Sequence, residues 1–404
     1  MTPPLTRRAA LTGAAMTGAA MTGTALALTA PARAAAPVRI GVLTDENGPY
    51  ADAAGAGSVL AARMAAHDFG GTVLGRPIEI LHGDTRNKPD IASSIARGWY
   101  DTGVDAIIDL PVTPIAAAVQ QIAKEKARTI MITGAAITQF TSKLCSATSS
   151  HWADDTHALT TGVAHLAKGQ KGSNWFFITV DFSFGEALES MTAKAIEATG
   201  GKVVGDAKFP IGSTEFSSQI LAAQSSGASV IGLAAVGNDQ VNLIKQAAEF
   251  GLRKNGVQLA GFLVYITDIH ALGLTVAQGL SFPASFYWDQ NEASRAFAKR
   301  FMAEQKAAPT KEQALNYASS LHFLKAMARA GTDDPIAVNK AMRTLPVAYF
   351  GRPATLRADG RLLTDVTLYR VKQPPESRGP WDYFTDVGTL PAAEAFLPMN
   401  PACA

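Results

Sequence analysis

One recurrence constrains this chain more than any other feature. Apolar runs of strand length alternate with helical stretches from Val38 to beyond residue 260. The strands read Val38–Thr44, Pro77–Asp84, Asp105–Leu110, Thr129–Thr133, Trp175–Asp181, Lys202–Phe209, Ser229–Ala235 and Leu259–Thr267. The helices between them read Gly57–Phe69, Asp90–Asp101, Pro114–Glu125, Ala158–Gly169, Gly185–Thr199, Phe216–Ser226 and Asp239–Phe250. Continuously apolar strands alternating with helices mark parallel sheets buried on both faces. Two rounds of this pattern, without a sequence repeat, predict an α/β fold of two doubly wound parallel-sheet lobes. In NWFFITVDFSFGEALESMTAKAIEATGGKVVG, Leu188, Met191 and Ala195 share one helical face, and Gly200 and Gly201 supply a left-handed stop. Beyond Ala284 the chain turns helical, over Glu292–Lys306 and Thr310–Ala330. Asp334 caps a third helix with Pro335 at its first position. TLYRVKQ reads as a strand, and the Pro- and Gly-rich stretch from PPESRGP onward reads as irregular.

The first 36 residues stand apart. Arg7 and Arg8 precede a weakly apolar run and small residues suited to cleavage near Ala34 or Ala36, the pattern of a twin-arginine export signal. The run is too rich in Gly and Thr to span a bilayer well. The mature protein is therefore expected outside the cytoplasmic membrane, in the periplasm. Losing Arg7, Arg8 and Arg33 changes 36 basic and 34 acidic residues to 33 and 34, with no basic stripe for nucleic acid. Export makes a Cys145–Cys403 disulfide plausible, with two unpaired thiols as the alternative.

Signatures of catalysis are missing: there is no GxSxG, P-loop, HExxH or CxxC. AGAGSVLAA lacks the GxGxxG spacing, so no nucleotide or other cofactor is expected. In SSHWADDTHA, a helix would set His151 and Asp155 one turn apart, where they could hold a metal, with Asp154 and His157 nearby. The plainer reading has Asp154 or Asp155 capping the helix that begins THALTTGVAHLA. In TDIHALG, Asp268 likewise reads as a cap beside His270. These residues point to a binding protein rather than an enzyme. The loops DENGPYADA, LPVTPIAAA and TGAAITQF leave strands and enter helices, at the sheet edge where ligands bind. Their backbone N–H groups, helix N-termini and the hydroxyls of Thr113, Thr133 and Thr138 suit a carboxylate. A ligand carboxylate, not a phosphate, is thus expected at the glycine-rich turn after Thr44.

In order and spacing, IGVLTDENGPYADAAGAGSVLAARMA, LGRPIEILHGDTRNKPDIASSIARGWYDTGVDAIID, residues 130–136, FSFGEALE and TEFSSQILAAQSSGASVIGLA resemble one family. It is the leucine/isoleucine/valine-type extracytoplasmic solute-binding proteins of ABC importers. The resemblance implies a type I periplasmic-binding fold, two lobes joined by three crossovers around a ligand cleft. It divides the chain into 37–155 plus 284–345, 156–283 plus 346–385, and a tail, 386–404. It implies a monomer that delivers a small molecule to membrane permease and ATPase subunits. It places a carboxylate site on Pro111, Val112 and Thr113 and on Gly134, Ala135 and Ala136. It puts an aromatic at Tyr50, an acid at Asp154 or Asp155, and a second-lobe aromatic at Phe184, where amino-acid binders commonly carry Tyr. The acid that grips an α-ammonium should fall near Phe262–Thr267, but FLVYITD brings only Asp268 close. An ammonium buried without a partner is costly. The expectation therefore moves to an aromatic or other small organic acid, walled by Tyr50, Trp152, Phe184 and Tyr265. Each of these aromatics has core packing as its alternative. For the ligand the alternative is a branched-chain or other amino acid; for the role, a sensing receptor subunit, or less readily a metal-dependent hydrolase.

Overall fold

The computed structural model describes residues 36–166, 173–198, 200–252 and 256–403. The export signal, and the helix ends expected at Gly169 and Thr199, lie outside them. In the first part of the chain β1 is Val38–Thr44, α1 Gly55–Phe69, β2 Thr72–Val73, β3 Arg76–Asp84 and α2 Pro89–Asp101. There follow β4 Ala106–Asp109, α3 Thr113–Glu125, β5 Thr129–Ile132 and β6 Ser149–His151. The middle holds α4 Thr156–Leu166, β7 Asn174–Val180, α5 Ser183–Ala198, β8 Lys202–Phe209, α6 Ser217–Ser225 and β9 Val230–Ala234. It continues with α7 Gly237–Glu249, β10 Gln258–Gly261, α8 Ile266–Leu272, α9 Leu274–Ala277 and β11 Ser281–Ala284. The last part holds α10 Glu292–Gln305, α11 Lys311–Ala330, α12 Pro335–Thr344, β12 Thr355–Leu356 and β13 Leu362–Leu363. It ends with β14 Val366–Val371, β15 Phe384–Leu390 and α13 Ala392–Ala395.

Among the described residues the strands form a six-stranded sheet, order β2-β3-β1-β4-β5-β6, and a seven-stranded sheet, order β15-β14-β11-β10-β9-β7-β8. Strands β3, β1, β4, β5 and β6 run parallel, as do β11, β10, β9, β7 and β8. The two-lobed α/β architecture expected from the periodicity is therefore present. The chain leaves the first sheet after β6, returns after β11, and crosses again between β13 and β14. In each sheet the strand order reverses at one point: between β1 and β4, and between β7 and β9. Such switch points open a crevice at the strands' carboxyl ends.

Strand β1 shows why the sheets are buried on both sides. Val38, Ile40 and Val42 pack with Val59, Ala62, Ala314 and Leu315. Leu43 points the other way, toward Ala92, Ala96 and Ile107. Gly41 leaves room for the Trp99 ring, which a Cβ would overlap. Helix starts follow the sequence signals. Asp334 accepts from the Ala337 amide at 2.8 Å. Thr310 and Gln313 exchange side-chain and backbone bonds at the head of α11, at 3.0 and 3.2 Å.

Three readings change. The strand expected over Leu259–Thr267 stops at Gly261, because Asp268 accepts from the Tyr265 amide at 2.9 Å and starts α8. The Pro- and Gly-rich end is not all irregular: β15 pairs antiparallel with β14, its alternation hidden by a register shift at Leu368/Tyr369. Residues 346–363, expected with the second lobe, supply β12, which packs on α12, and Arg361, which bridges to His151 of the first sheet's edge.

Cys145, in the loop before β6, is bonded to Cys403, with Cα atoms 5.9 Å apart and a sequence separation of 258. Closing so long a loop removes much freedom from the unfolded chain. Cys403→Ser should lower unfolding free energy by about 2–5 kcal/mol in denaturant titration; an unchanged midpoint would show that the tail contributes nothing.

Candidate functional site

The two switch points face one small cavity. Tyr50 enters from the loop after β1, Pro111 and Thr113 from the end of β4, and Gly134 and Ala136 from the end of β5. From the second sheet come Phe182 and Phe184 after β7, Val236 after β9, and Leu263 and Tyr265 after β10. A larger hollow opens at Val230, Gln258 and Ser281. Those are strand beginnings, the edge away from the helix N-termini, so the site is assigned to the smaller cavity.

On the first-lobe side the backbone is bent into place. Asp109 and Leu110 have φ of 85° and 67°, a conformation that costs non-glycine residues about 1–3 kcal/mol each. It is held by the Thr133 and Gly134 amides, which donate to the Asp109 carbonyl at 3.1 and 3.2 Å. The bend aims Pro111–Thr113 at the cavity and starts α3 there without a side-chain cap. The Thr113 and Ile115 amides in its first turn have no intrahelical acceptor. Among the described residues the Ala136 amide and the Thr113 and Tyr50 hydroxyls also take no partner. Burial, reinforced by Asp239, Asp45 and Glu312, keeps the Tyr50 phenol protonated well above its ordinary range.

The glycine-rich turn after β1, where a carboxylate was expected, has several of its donors engaged within the loop. Asp45 already accepts from the Gly48 and Tyr50 amides at 2.7 and 2.9 Å, and the Thr44 hydroxyl accepts from Gly55 at 2.9 Å. Those donors are spent on shaping the loop that carries Tyr50. Thr133 is likewise engaged, donating to Asn316 Oδ1 at 3.0 Å, and Thr138 lies beside Gln139.

The second-lobe wall is aromatic. Phe182 and Phe184 stack with centroids 6.0 Å apart. The Tyr265 ring lines the cavity, and its hydroxyl donates to Glu312 Oε2 at 2.8 Å. Glu312, on α11, stands behind Gly134, where any Cβ would overlap its Oε1. Among the lining residues there is no acid and no base.

The structure brings together Tyr50, Pro111, Thr113, Gly134, Ala136, Phe184 and Tyr265. It places four other expected site residues elsewhere. Val112 packs in the hydrophobic core. Ala135 spends its amide on the Leu110 carbonyl and its own carbonyl on His151, at 2.9 and 2.7 Å. Trp152 is buried in the first-lobe core with its indole N–H on Ser150 Oγ at 2.9 Å. Asp154 is buried against Lys311 at 3.1 Å and the Ser285 amide at 3.0 Å, which ties the two crossing strands together. Asp155 caps α4 through the Ala158 amide at 3.0 Å. His151 offers no metal a lone pair. Its Nε2 bonds Ala135 and its Nδ1 faces Arg361 at 2.7 Å, and burial with that cation holds the ring neutral.

Phe182, Val236, Leu263 and Glu312 were not anticipated. The first three follow strands of the second sheet, so the strand-edge rule that found Thr113 would have found them. Glu312 carried no such signal.

The sequence profile of the periplasmic binding protein family matches residues 37–379. No curated protein matches the chain. A periplasmic binding protein from Burkholderia mallei is 42% identical over 89% of this chain and 96% of its own, with a TM-score of 0.87. A branched chain amino acid ABC transporter periplasmic ligand-binding protein from Burkholderia xenovorans is 36% identical over 89% and 97%, TM-score 0.79. A solute binding protein of an ABC transporter from R. palustris, in complex with benzoate, is 20% identical over 87% and 96%, TM-score 0.79, and shares the fold.

Two outcomes are expected of this geometry. Gly134→Ala should destabilise the protein by about 1–3 kcal/mol in thermal or denaturant unfolding, because Glu312 and the Pro111 backbone must move. Burial pushes Asp268 from 3.8 up to about 7. The native state then holds a proton that the unfolded state has released, so this group makes stability fall as pH rises from about 4 to about 7. Asp268→Asn should flatten that part of the melting-temperature profile; identical slopes would show that Asp268 titrates normally.

Proposed function

This chain belongs to the periplasmic binding protein family, and from that premise we propose that it is the extracytoplasmic receptor of an ABC importer of the branched-chain amino-acid uptake type. Its ligand is a small carboxylate with an aromatic or similarly apolar body. The observation that carries this is the mixture lining the cavity. Free donors at Thr113, Ala136, Tyr50 and the first turn of α3 face Phe182, Phe184, Val236 and Leu263, and no charged side chain is among them. A carboxylate gains donors and a helix N-terminus there. An ammonium would find no counter-ion and would lose its hydration. The solved relatives from R. palustris that hold benzoate and 4-hydroxybenzoate support this ligand class.

Binding is by enclosure, with no covalent step. The proposed hinge passes through the three crossings, where Asp154, Lys311 and Ser285 meet. At the mouth the lobes touch: the Asn238 amide donates to the Pro49 carbonyl at 3.3 Å, beside Gly237 at φ 61°. In this reading the twin-arginine leader takes the chain across the membrane and is cleaved near residues 34–36. The mature monomer then hands ligand to permease and ATPase subunits. Among the described residues no helix is long and apolar enough to cross a membrane. A second reading, with a branched-chain amino acid as ligand, draws on the relative from Burkholderia xenovorans.

Benzoate and 4-hydroxybenzoate should stabilise the protein in thermal-shift assays, by about 2.7 kcal/mol at a hundredfold excess over Kd, and leucine should not. Stabilisation by leucine alone would reverse the ligand assignment. Thr113→Ala should weaken benzoate binding by about 1–3 kcal/mol in calorimetry; an unchanged Kd would remove its hydroxyl from the site.

A further inference from the structure

We propose that Asp109 and Glu312 hold one proton between them behind the cavity, and that this shared proton admits an anion to the Thr113–Gly134 edge. The second half rests on the carboxylate reading above.

Both side chains are buried, Asp109 at 0% and Glu312 at 1% exposure. Asn316 and Gly134 bring them together: the Asn316 amide donates to Asp109 Oδ1 and to the Glu312 carbonyl at 2.9 and 3.1 Å, and Gly134, whose amide donates to the Asp109 carbonyl at 3.2 Å, lies against Glu312 Oε1. Each has one satisfied oxygen. Glu312 Oε2 accepts from the Tyr265 hydroxyl at 2.8 Å, and Asp109 Oδ1 accepts from Asn316 Nδ2 at 2.9 Å. Each also has one oxygen without a partner, Glu312 Oε1 and Asp109 Oδ2. Two bare carboxylate oxygens in a dry interior are costly, and two adjacent negative charges more so. A single proton removes both costs, since one carboxyl then donates to the other. The pair is a coupled acid dyad.

The surroundings supply no cation that would replace the proton. Lys311 precedes Glu312 on α11, but its ammonium is paired with Asp154 at 3.1 Å. The Tyr265 hydroxyl, from the loop between β10 and α8, and the Lys311 charge both favour the ionised form of Glu312, but burial and the neighbouring Asp109 outweigh them. From β1, α1 and α11 come the neutral groups of Thr44, Ser58 and Asn316. Burial, and then each acid's effect on the other, favours the protonated form of Glu312.

Glu312 Oε1 fills the space above Gly134, and Gly134 lines the cavity. A ligand carboxylate at Thr113 and Ala136 therefore faces the dyad across a residue with no side chain. With the proton it meets one diffuse charge; without it, two. Anion capture should be proton-linked, weakening as pH rises through the dyad's upper titration, by up to tenfold per pH unit for one linked proton.

The test uses the full chain, as wild type, Glu312→Gln and Asp109→Asn. The glutamine keeps an acceptor for Tyr265 and offers Asp109 a permanent N–H donor. Infrared spectra of ligand-free protein at about pH 9, above the Asp268 titration, should show a protonated-carboxyl absorption in the wild type that is missing from Glu312→Gln. Calorimetry with benzoate, from neutral to strongly alkaline pH, should show wild-type affinity falling with pH and Glu312→Gln affinity staying flat. Should Glu312→Gln fail to fold, Asp109→Asn carries the same comparison. The shared proton is overturned if the absorption is identical in all three proteins. The binding role is overturned if benzoate binds wild type and Glu312→Gln with the same pH profile. Retained infrared difference with no carboxylate bound by any of the three at any pH would instead overturn the ligand reading, and the binding role with it, leaving the dyad intact.

Discussion

The first two turns of α11 hold the rest of the site in register. Thr310 donates to the Ala53 carbonyl at 2.6 Å, and Gln313 Nε2 to the Ala54 carbonyl at 3.1 Å, which fixes the loop that presents Tyr50. Asn316 reaches Ser58 and Asp109 at 3.0 and 2.9 Å and receives the Thr133 hydroxyl, which ties α1, β4 and β5 to one side chain. Lys311 anchors the first crossing through Asp154, and Glu312 meets Tyr265 at the head of α8. Each buried bond contributes only about 0.5–1.5 kcal/mol, but leaving one of these groups unpaired costs more than the bond yields. The arrangement is therefore all-or-none: the loops are either positioned together or not at all.

A second buried polar cluster does related work at the first crossing. Arg361 is 1% exposed and meets His151, the Ala153 carbonyl and, at 3.6 Å, Asp155. Replacing one member would strand a charge in the interior. Such clusters add little net stability compared with apolar packing. They fix direction instead, which a chain crossing three times between two sheets requires.

Much of this was legible in the residues. Parallel strands announce themselves by unbroken apolar runs, and loops at their carboxyl ends announce a ligand edge; that logic reached Thr113, Gly134 and Ala136. It did not separate Thr113 from Val112, or Ala136 from Ala135, because neighbours on a turn point in opposite directions. Trp152 has the composition of a ligand wall and the position of a core residue, and only packing distinguishes the two. In the turn after β1, spacing did not reveal that Asp45 takes up the Gly48 and Tyr50 amides. Glu312 was out of reach because its role depends on Asp109, 203 positions earlier, being placed beside it by α11, which follows the second crossing.

The bond between Cys145 and Cys403 also bears on movement. Cys145 belongs to the first sheet's edge, whereas α13, a few residues before Cys403, is seated on α4 beside the second sheet. His157 grips the Ala395 carbonyl at 2.8 Å, and Phe396 lies 4.7 Å under the Arg361 guanidinium. The last residues therefore form a short leash from one half to the other. A leash of fixed length sets an upper bound on how wide the halves can gape.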